Sequence, residues 1–422
     1  MPSSRWTGLI LGLLAAVVYQ LVGPGQAGLD SHLPAAQAFL AGRAWFPEPY
    51  PWLELVPRPE GGWTSPFPPL VSLLMVPFVA LGLAPDTGMI GAVLGGISVT
   101  LIWILLGHVG TEARARLALT VGWAVGSEML WIGATGGQHL APQAASAVLL
   151  TAALIAALDR RAVTAGLLLG IGVLARVPVV LAWPLVAWLL SPWVGTFPLP
   201  GRRPPDAPAA AAPPPDAPAA AAPPPSPSPV RALLPPVLSG LALAVPVAFL
   251  GWYAWLRYGS PFELGYGLIR NVAGESVLDE PWYAHGIIAL DYLPQGLHSM
   301  LLRGPELLDG FPWFAGSLLG TSILLMMPIL WWLAAARGRT ALVAFLVAWL
   351  VLLPDLLHGN PGFAQAGYRY IVDALPILWL ILGIAFRDGM PRPAWVALGA
   401  GIVASWWIFG VEWLRIAGAL PR

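Results

Sequence analysis

Long apolar runs separated by short polar turns dominate the chain, and their lengths predict helices rather than strands. Runs near 7–22, 88–108, 117–135, 139–158, 162–175, 177–193, 233–256, 312–336, 340–357, 369–386 and 394–416 approach or exceed the roughly 18 residues that cross a hydrocarbon core as helix. Eleven transmembrane helices are therefore expected, in an all-α polytopic membrane protein. One further run, Phe67 to Ala84, contains Pro68, Pro69 and Pro77, and the placement of charge decides its status. If it stays on one side, Arg114 and Arg116, Arg160 and Arg161, Arg202 and Arg203, Arg337 and Arg339, and Arg387 and Arg392 all share the side of Arg5. If it crosses, all of these pairs move outside. The positive-inside rule therefore predicts a juxtamembrane or re-entrant helix on the outer face and a cytoplasmic N-terminus.

This topology divides the chain. Residues 1–193 form an N-terminal membrane module with a long external loop, 23–87. Residues 194–231 hold DAPAAAAPPP twice in tandem, at 206–215 and 216–225; such a Pro/Ala repeat builds no core and reads as a disordered cytoplasmic linker, or as a docking tract for a Pro-binding domain. Residues 232–422 form a C-terminal module whose external loop, 257–311, carries Asp279-Glu280-Pro-Trp-Tyr283-Ala-His285 and Asp291-Tyr292. The first run, with Arg5 before it, also suits a cleaved signal peptide, but it lacks a small-x-small site and reads as an uncleaved span.

Composition fixes the class. With 57% apolar and only 10% charged residues in 422, a soluble domain could not hide the apolar surface. All 21 basic residues are Arg and balance 21 acids, so nothing points to nucleic acid. The chain has no Cys, and its six His lack close metal-ligand spacing, so no metal or other cofactor is expected.

Several polar residues stand at the predicted outer face. Asp30 or Ser31, in Gly28-Leu-Asp30-Ser31-His32, reads first as the cap of a short helix 32–41, and Asp30 also as a catalytic base. Arg176 interrupts more than thirty apolar residues; it is either simply wet at a turn or the partner of a phosphate. Glu128 lies at membrane depth and needs an inward polar partner. Gln138 and His139 occupy the next outer turn. Tyr368-Arg369-Tyr370 opens the run at 369–386, as an interfacial anchor with a snorkelling Arg or as a binding element. The Gly91/Gly95 and Gly166/Gly170 pairs predict close helix packing.

The order of these features resembles the GT-C superfamily of integral-membrane glycosyltransferases, which includes protein mannosyltransferases and aminoarabinose transferases. The likeness rests on an acid after the first span, a short helix ending Leu40-Ala-Gly42, Pro66-Phe-Pro68-Pro69-Leu70, Arg176-Val-Pro178 and Gly367-Tyr-Arg-Tyr370. It implies transfer of a sugar from a polyprenyl-phosphate donor to a hydroxyl of a glycan, lipid or protein at the outer face of the cell (inner) membrane. Asp30 would be the base for an inverting attack, Arg176 and Arg369 would hold the donor phosphate, and His32, Gln138, His139, Tyr368 and Tyr370 would contact substrate. The chain departs from relatives in having Asp30-Ser31 where an Asp-Glu pair is common, and Gln138-His139 where an acid is common, which weakens any case for a divalent metal. A transporter or lipid flippase is the alternative; Glu128 and the short helix pair around Arg176 favour it.

Overall fold

The computed structural model describes residues 3–23, 30–50, 53–192, 229–270, 274–317, 319–363, 365–416 and 418. Most of the Pro/Ala tract, with Arg202 and Arg203, lies outside the described residues. Helices dominate: α1 (Ser3–Val22), α2 (His32–Leu40), α3 (Leu70–Ala80), α4 (Thr87–His108), α5 (Ala113–Val125), α6 (Glu128–Thr135), α7 (Leu140–Leu158), α8 (Ala162–Val173), α9 (Trp183–Leu190), α10 (Pro229–Tyr258), α11 (Leu293–Leu297), α12 (Ile323–Met326), α13 (Arg339–Leu356), α14 (Leu375–Ala385) and α15 (Arg392–Ile416). A 3-10 turn, Val177–Ala182, leads into α9, and another, Arg369–Asp373, leads into α14. The strands β1 (Val56–Pro57), β2 (Trp63–Thr64), β3 (Glu306–Leu307), β4 (Phe314–Ala315), β5 (Leu319–Thr321) and β6 (Gln365–Gly367) pair as β1–β2, β3–β4 and β5–β6, the last parallel.

Among the described residues five helices, α4, α7, α10, α13 and α15, are long and apolar enough to cross a membrane alone, and α5 with α6 makes a sixth span bent by 48°. Eleven long spans were the expectation; α1, α8, the Val177–Leu190 segment and α14 are shorter apolar helices. The expected span at 312–336 is corrected outright: it folds as β4, β5, the four-residue α12 and a 3-10 segment, Pro328–Ala335. Gly316 and Gly320 supply no helix-favouring side chain, Gly320 has φ +87°, and Pro328 removes a backbone donor.

The bend between α5 and α6 has a local cause. The Ser127 hydroxyl donates to the Trp123 carbonyl (2.6 Å) and accepts from the Met129 N–H (3.2 Å), so it takes the place of a backbone donor to Trp123 just after the last helical bond, Gly126 N–H to the Gly122 carbonyl (2.9 Å). Inside the bundle α14 is buried on all sides, and Trp379 donates to the Leu119 carbonyl (2.9 Å) while packing edge-on against Trp123. Outside, α1, α10, α13 and α15 expose Leu, Val, Phe and Trp side chains, the surface a lipid solvent requires. The Gly-x-x-x-Gly pairs do bring helices close. A Cβ on Gly166 would collide with the Ser239 carbonyl of α10, and one on Gly95 would meet the Tyr19 ring at 2.6 Å.

The helices meet at two chemically different ends. At one, Glu112 N–H bonds the Phe386 carbonyl (3.2 Å), Arg387 bonds the Val109 carbonyl (2.7 Å), His108 meets Asp159 (3.0 Å) and Arg160 bonds the Leu189 and Ser191 carbonyls (2.9 and 2.8 Å). These are the arginine-bearing turns. At the other, Leu70 N–H bonds the Leu174 carbonyl (2.9 Å) and Gly137 N–H bonds the Thr87 hydroxyl (3.0 Å). The segment 70–87 thus starts and finishes at this second end. Its helix α3, about 16 Å long at 1.5 Å per residue, is too short for a hydrocarbon core of about 30 Å.

Candidate functional site

Polar and titratable groups gather at the end away from the arginine turns. Arg176, released from α8 where the helix stops before Pro178, meets Asp373 through Nε (3.0 Å to Oδ2) and Nη2 (2.7 Å to Oδ2). Nη2 also reaches Asp355 Oδ1 at 3.0 Å, and Ser146 donates to Asp373 (3.3 Å). Asp355 closes α13 and Asp373 closes the turn before α14, so three elements converge on one guanidinium. Two carboxylates thus share one guanidinium; Asp373 has the further Ser146 bond, whereas Asp355 Oδ2 has no partner among the described residues. Among the described residues Nη1 of Arg176 donates to no partner.

Arg369 stands next to this group. Its backbone is fixed by Gln365 and Gln143 (both 3.3 Å), and its Nη1 donates to the Phe363 carbonyl (3.1 Å). Only 8% of the residue is exposed, yet Nε has no partner among the described residues. Arg176 and Arg369 lie 5.5 and 5.3 Å from the Tyr370 ring centre, and Tyr368 packs edge-on against Tyr370 while donating to the Asp355 carbonyl (3.3 Å). Glu128 opens α6 immediately after the bend and accepts the Gly367 N–H through Oε2 (3.3 Å). A Cβ on Gly367 would strike its other oxygen, so glycine is required there for the carboxylate to approach the backbone.

Facing the arginines is a wall built from the first loop and the α6–α7 turn. His139 Nε2 and Gln138 Nε2 each lie 3.5 Å from Glu54 Oε2. The charge of Arg369 reaches both Glu54 and His139, and that of Arg176 reaches His139, His358 and Tyr266. Burial pushes the Glu54 carboxyl up to about 7 against the opposing pull of Arg369, and burial with the two arginines holds His139 well below the usual histidine range. Yet 45% of the Glu54 side chain and 32% of His139 remain reached by solvent. Groups so crowded and still wet stand at the solvent boundary rather than in a core.

Asp30 occupies the flank of this site. Its Oδ1 accepts the His32 N–H (2.7 Å) and the Leu33 N–H (3.4 Å), so it caps α2 as the cap reading anticipated. Burial raises its carboxyl above the ordinary value despite those bonds, and nearby Asp86 adds to the effect. His32 is buried between the Ser72 hydroxyl (3.0 Å) and the Gln138 carbonyl (3.2 Å), and burial drives it down to about 4. The contacts from Asp30 to the arginines run through His32 and then Gln138 and His139. The structure thus brings together Arg176, Arg369, Tyr368, Tyr370, Gln138 and His139, with His32 bridging to Asp30. Sequence reasoning missed Asp355, Asp373, His358, Tyr266 and Glu54 as members. Asp355, an acid inside an apolar run, carries the same signal as Glu128, whereas Glu54 sits in a mixed loop with none. Among the described residues no group of three His, Asp or Glu could hold a metal.

No known family profile and no curated protein matches the chain. Among solved structures it is similar to the apo crystal structure of the Archaeoglobus fulgidus oligosaccharyltransferase, at 12% identity and a TM-score of 0.47. That alignment takes in 97% of this chain and 56% of the other, so this chain spans little more than half of that protein. At this distance the functional reading rests on the chain's own geometry.

Proposed function

We propose that the protein is a glycosyltransferase that moves a sugar from a polyprenyl-phosphate donor to an acceptor hydroxyl at the outer face of the cell membrane, with inversion. The observation that carries this reading is the Arg369 Nε, without a partner among the described residues, beside a wet wall of Glu54 and His139, at the end remote from the arginine turns. An anion with several acceptor oxygens, such as a lipid phosphate, satisfies that donor together with Arg176 Nη1. By the positive-inside rule the arginine turns face the cytoplasm and this polar end faces out, with α3 lying along the outer surface.

In this scheme Asp30 takes the acceptor hydroxyl proton as the acceptor oxygen bonds the anomeric carbon. The bond from that carbon to the phosphate oxygen breaks on the opposite face, and its electron pair leaves on the phosphate, held by Arg369 and Arg176. The acceptor is a glycan, a lipid or a protein hydroxyl. The transporter alternative rests on Glu128 and Arg176; within the protein Glu128 Oε2 accepts from Gly367 and Arg176 pairs with Asp355 and Asp373, while Glu128 Oε1 has no partner among the described residues.

Purified full-length protein in proteoliposomes, given a synthetic polyprenyl-phosphate sugar, tests the assignment. Asp30→Asn is expected to lower transfer by about 10²–10⁴-fold while leaving donor binding in place. Full activity in that variant overturns the role of Asp30.

A further inference from the structure

Glu54 is an acid that the transfer chemistry above does not use. Its Oε2 makes two long contacts, 3.5 Å to Gln138 Nε2 and 3.5 Å to His139 Nε2, at the outer limit of hydrogen bonding. Its Oε1 takes no bond among the described residues. A carboxyl group can accept about four hydrogen bonds, so most of its capacity is open to whatever binds beside it. Behind it, Gln138 is fully buried and its Oε1 is also partnerless among the described residues.

Aromatic surface surrounds these groups. Tyr266 and Tyr283 both lie within range of the Glu54 charge, and Tyr266 within range of Tyr370. The Phe67 ring stands edge-on to His139 at 4.9 Å and to Tyr266 at 6.3 Å. The second large loop closes this side: the Arg270 N–H bonds the Leu55 carbonyl (3.0 Å), next to Glu54. Open acceptors, an amide and aromatic rings suit a polyol, whose hydroxyls bond the acceptors while its C–H faces lie on rings. A phosphate would instead be repelled by the ionised acid.

We propose that Glu54, backed by Gln138 and His139 and flanked by Tyr266 and Tyr283, holds the glycosyl ring of the donor beside the phosphate on Arg369. Glu54 accepts hydrogen bonds from sugar hydroxyls and sets which sugar is taken. This assignment rests on the glycosyl-transfer reading and names its sugar subsite.

Binding of two kinds of probe to the full chain in nanodiscs separates the two levels. The probes are farnesyl phosphate and farnesyl-phosphate esters of mannose, glucose and arabinose, followed by tryptophan fluorescence. Wild type should bind at least one sugar ester more tightly than farnesyl phosphate. Glu54→Ala should weaken that ester by about tenfold or more and leave farnesyl phosphate within about twofold, with Glu54→Gln recovering part of the loss. Retained farnesyl phosphate binding also reports that the variant is folded. Equal weakening of both probes, or no change in either, overturns the sugar subsite. A wild type that binds farnesyl phosphate but gains nothing from any sugar overturns the subsite alone, whereas a wild type that binds neither overturns the transfer reading with it.

Discussion

Arg176 shows how one side chain can be both a scaffold and a ligand group. Two of its three nitrogens are committed to Asp373 and Asp355, in surroundings from which removing the arginine leaves unpaired buried charge. Arg176→Leu is therefore expected to destabilise the protein by about 3–5 kcal/mol, read as a lower unfolding temperature in detergent, and Asp373→Asn, which leaves Arg176 paired with Asp355, by less. The triple variant Arg176→Met, Asp355→Leu, Asp373→Leu should recover part of that loss, because no lone charge remains. Asp30 makes a separate claim about pH. A base works when ionised, and burial raises the Asp30 pKa, so kcat/KM should rise with pH through a value above the ordinary aspartate value of about 3.9 and then level off. Glu54→Gln should leave that limb in place; a limb near 7 that vanishes in Glu54→Gln would transfer the role of base to Glu54. Arg176 was conspicuous in the sequence as a charge inside an apolar run, and Arg369 as a cation between two tyrosines at the start of one. Glu54 was not, because one more acid in a loop becomes distinctive only when folding sets it beside His139 and in the field of Arg369.

At the scale of elements, hydrophobic length located the helices but not their breaks. The run at 117–135 looks continuous, and the bend depends on one serine hydroxyl substituting for a backbone donor, a choice that hydropathy does not encode. The run at 312–336 is apolar enough to span, yet its glycines and prolines favour strand and 3-10 pieces, and β5 then pairs with β6 two residues before Arg369. Glycine spacing was the more reliable sign. Gly166→Ala should destabilise the α8–α10 contact by about 1–3 kcal/mol, since the new methyl meets the Ser239 carbonyl. Gly399→Ala, in open space on α15, should be neutral or slightly stabilising. Equal unfolding temperatures for the two variants would refute the close α8–α10 packing.

Across the whole molecule, the charge asymmetry read from the sequence reappears as two separate networks, one of arginine turns and one of acids, aromatics and paired arginines. A chain without cysteine makes their sidedness directly measurable. In intact cells, Glu60→Cys should react with a membrane-impermeant thiol reagent and Arg161→Cys only after permeabilisation; the reverse pattern would invert the topology. The two halves, which sequence composition separates at the Pro/Ala tract, are also fastened to each other apart from the chain that joins them. Along its length α10 packs on α8 and α9, and at its end the buried Arg257 donates to the carbonyls of Ser65 and Phe67, just ahead of α3. The covalent connection through 193–228 then contributes chiefly effective concentration. Residues 1–205 and 226–422, produced as separate polypeptides in one cell, should find each other in the bilayer and rebuild the site, so that the protein behaves as a heterodimer whose subunits happen to share a reading frame.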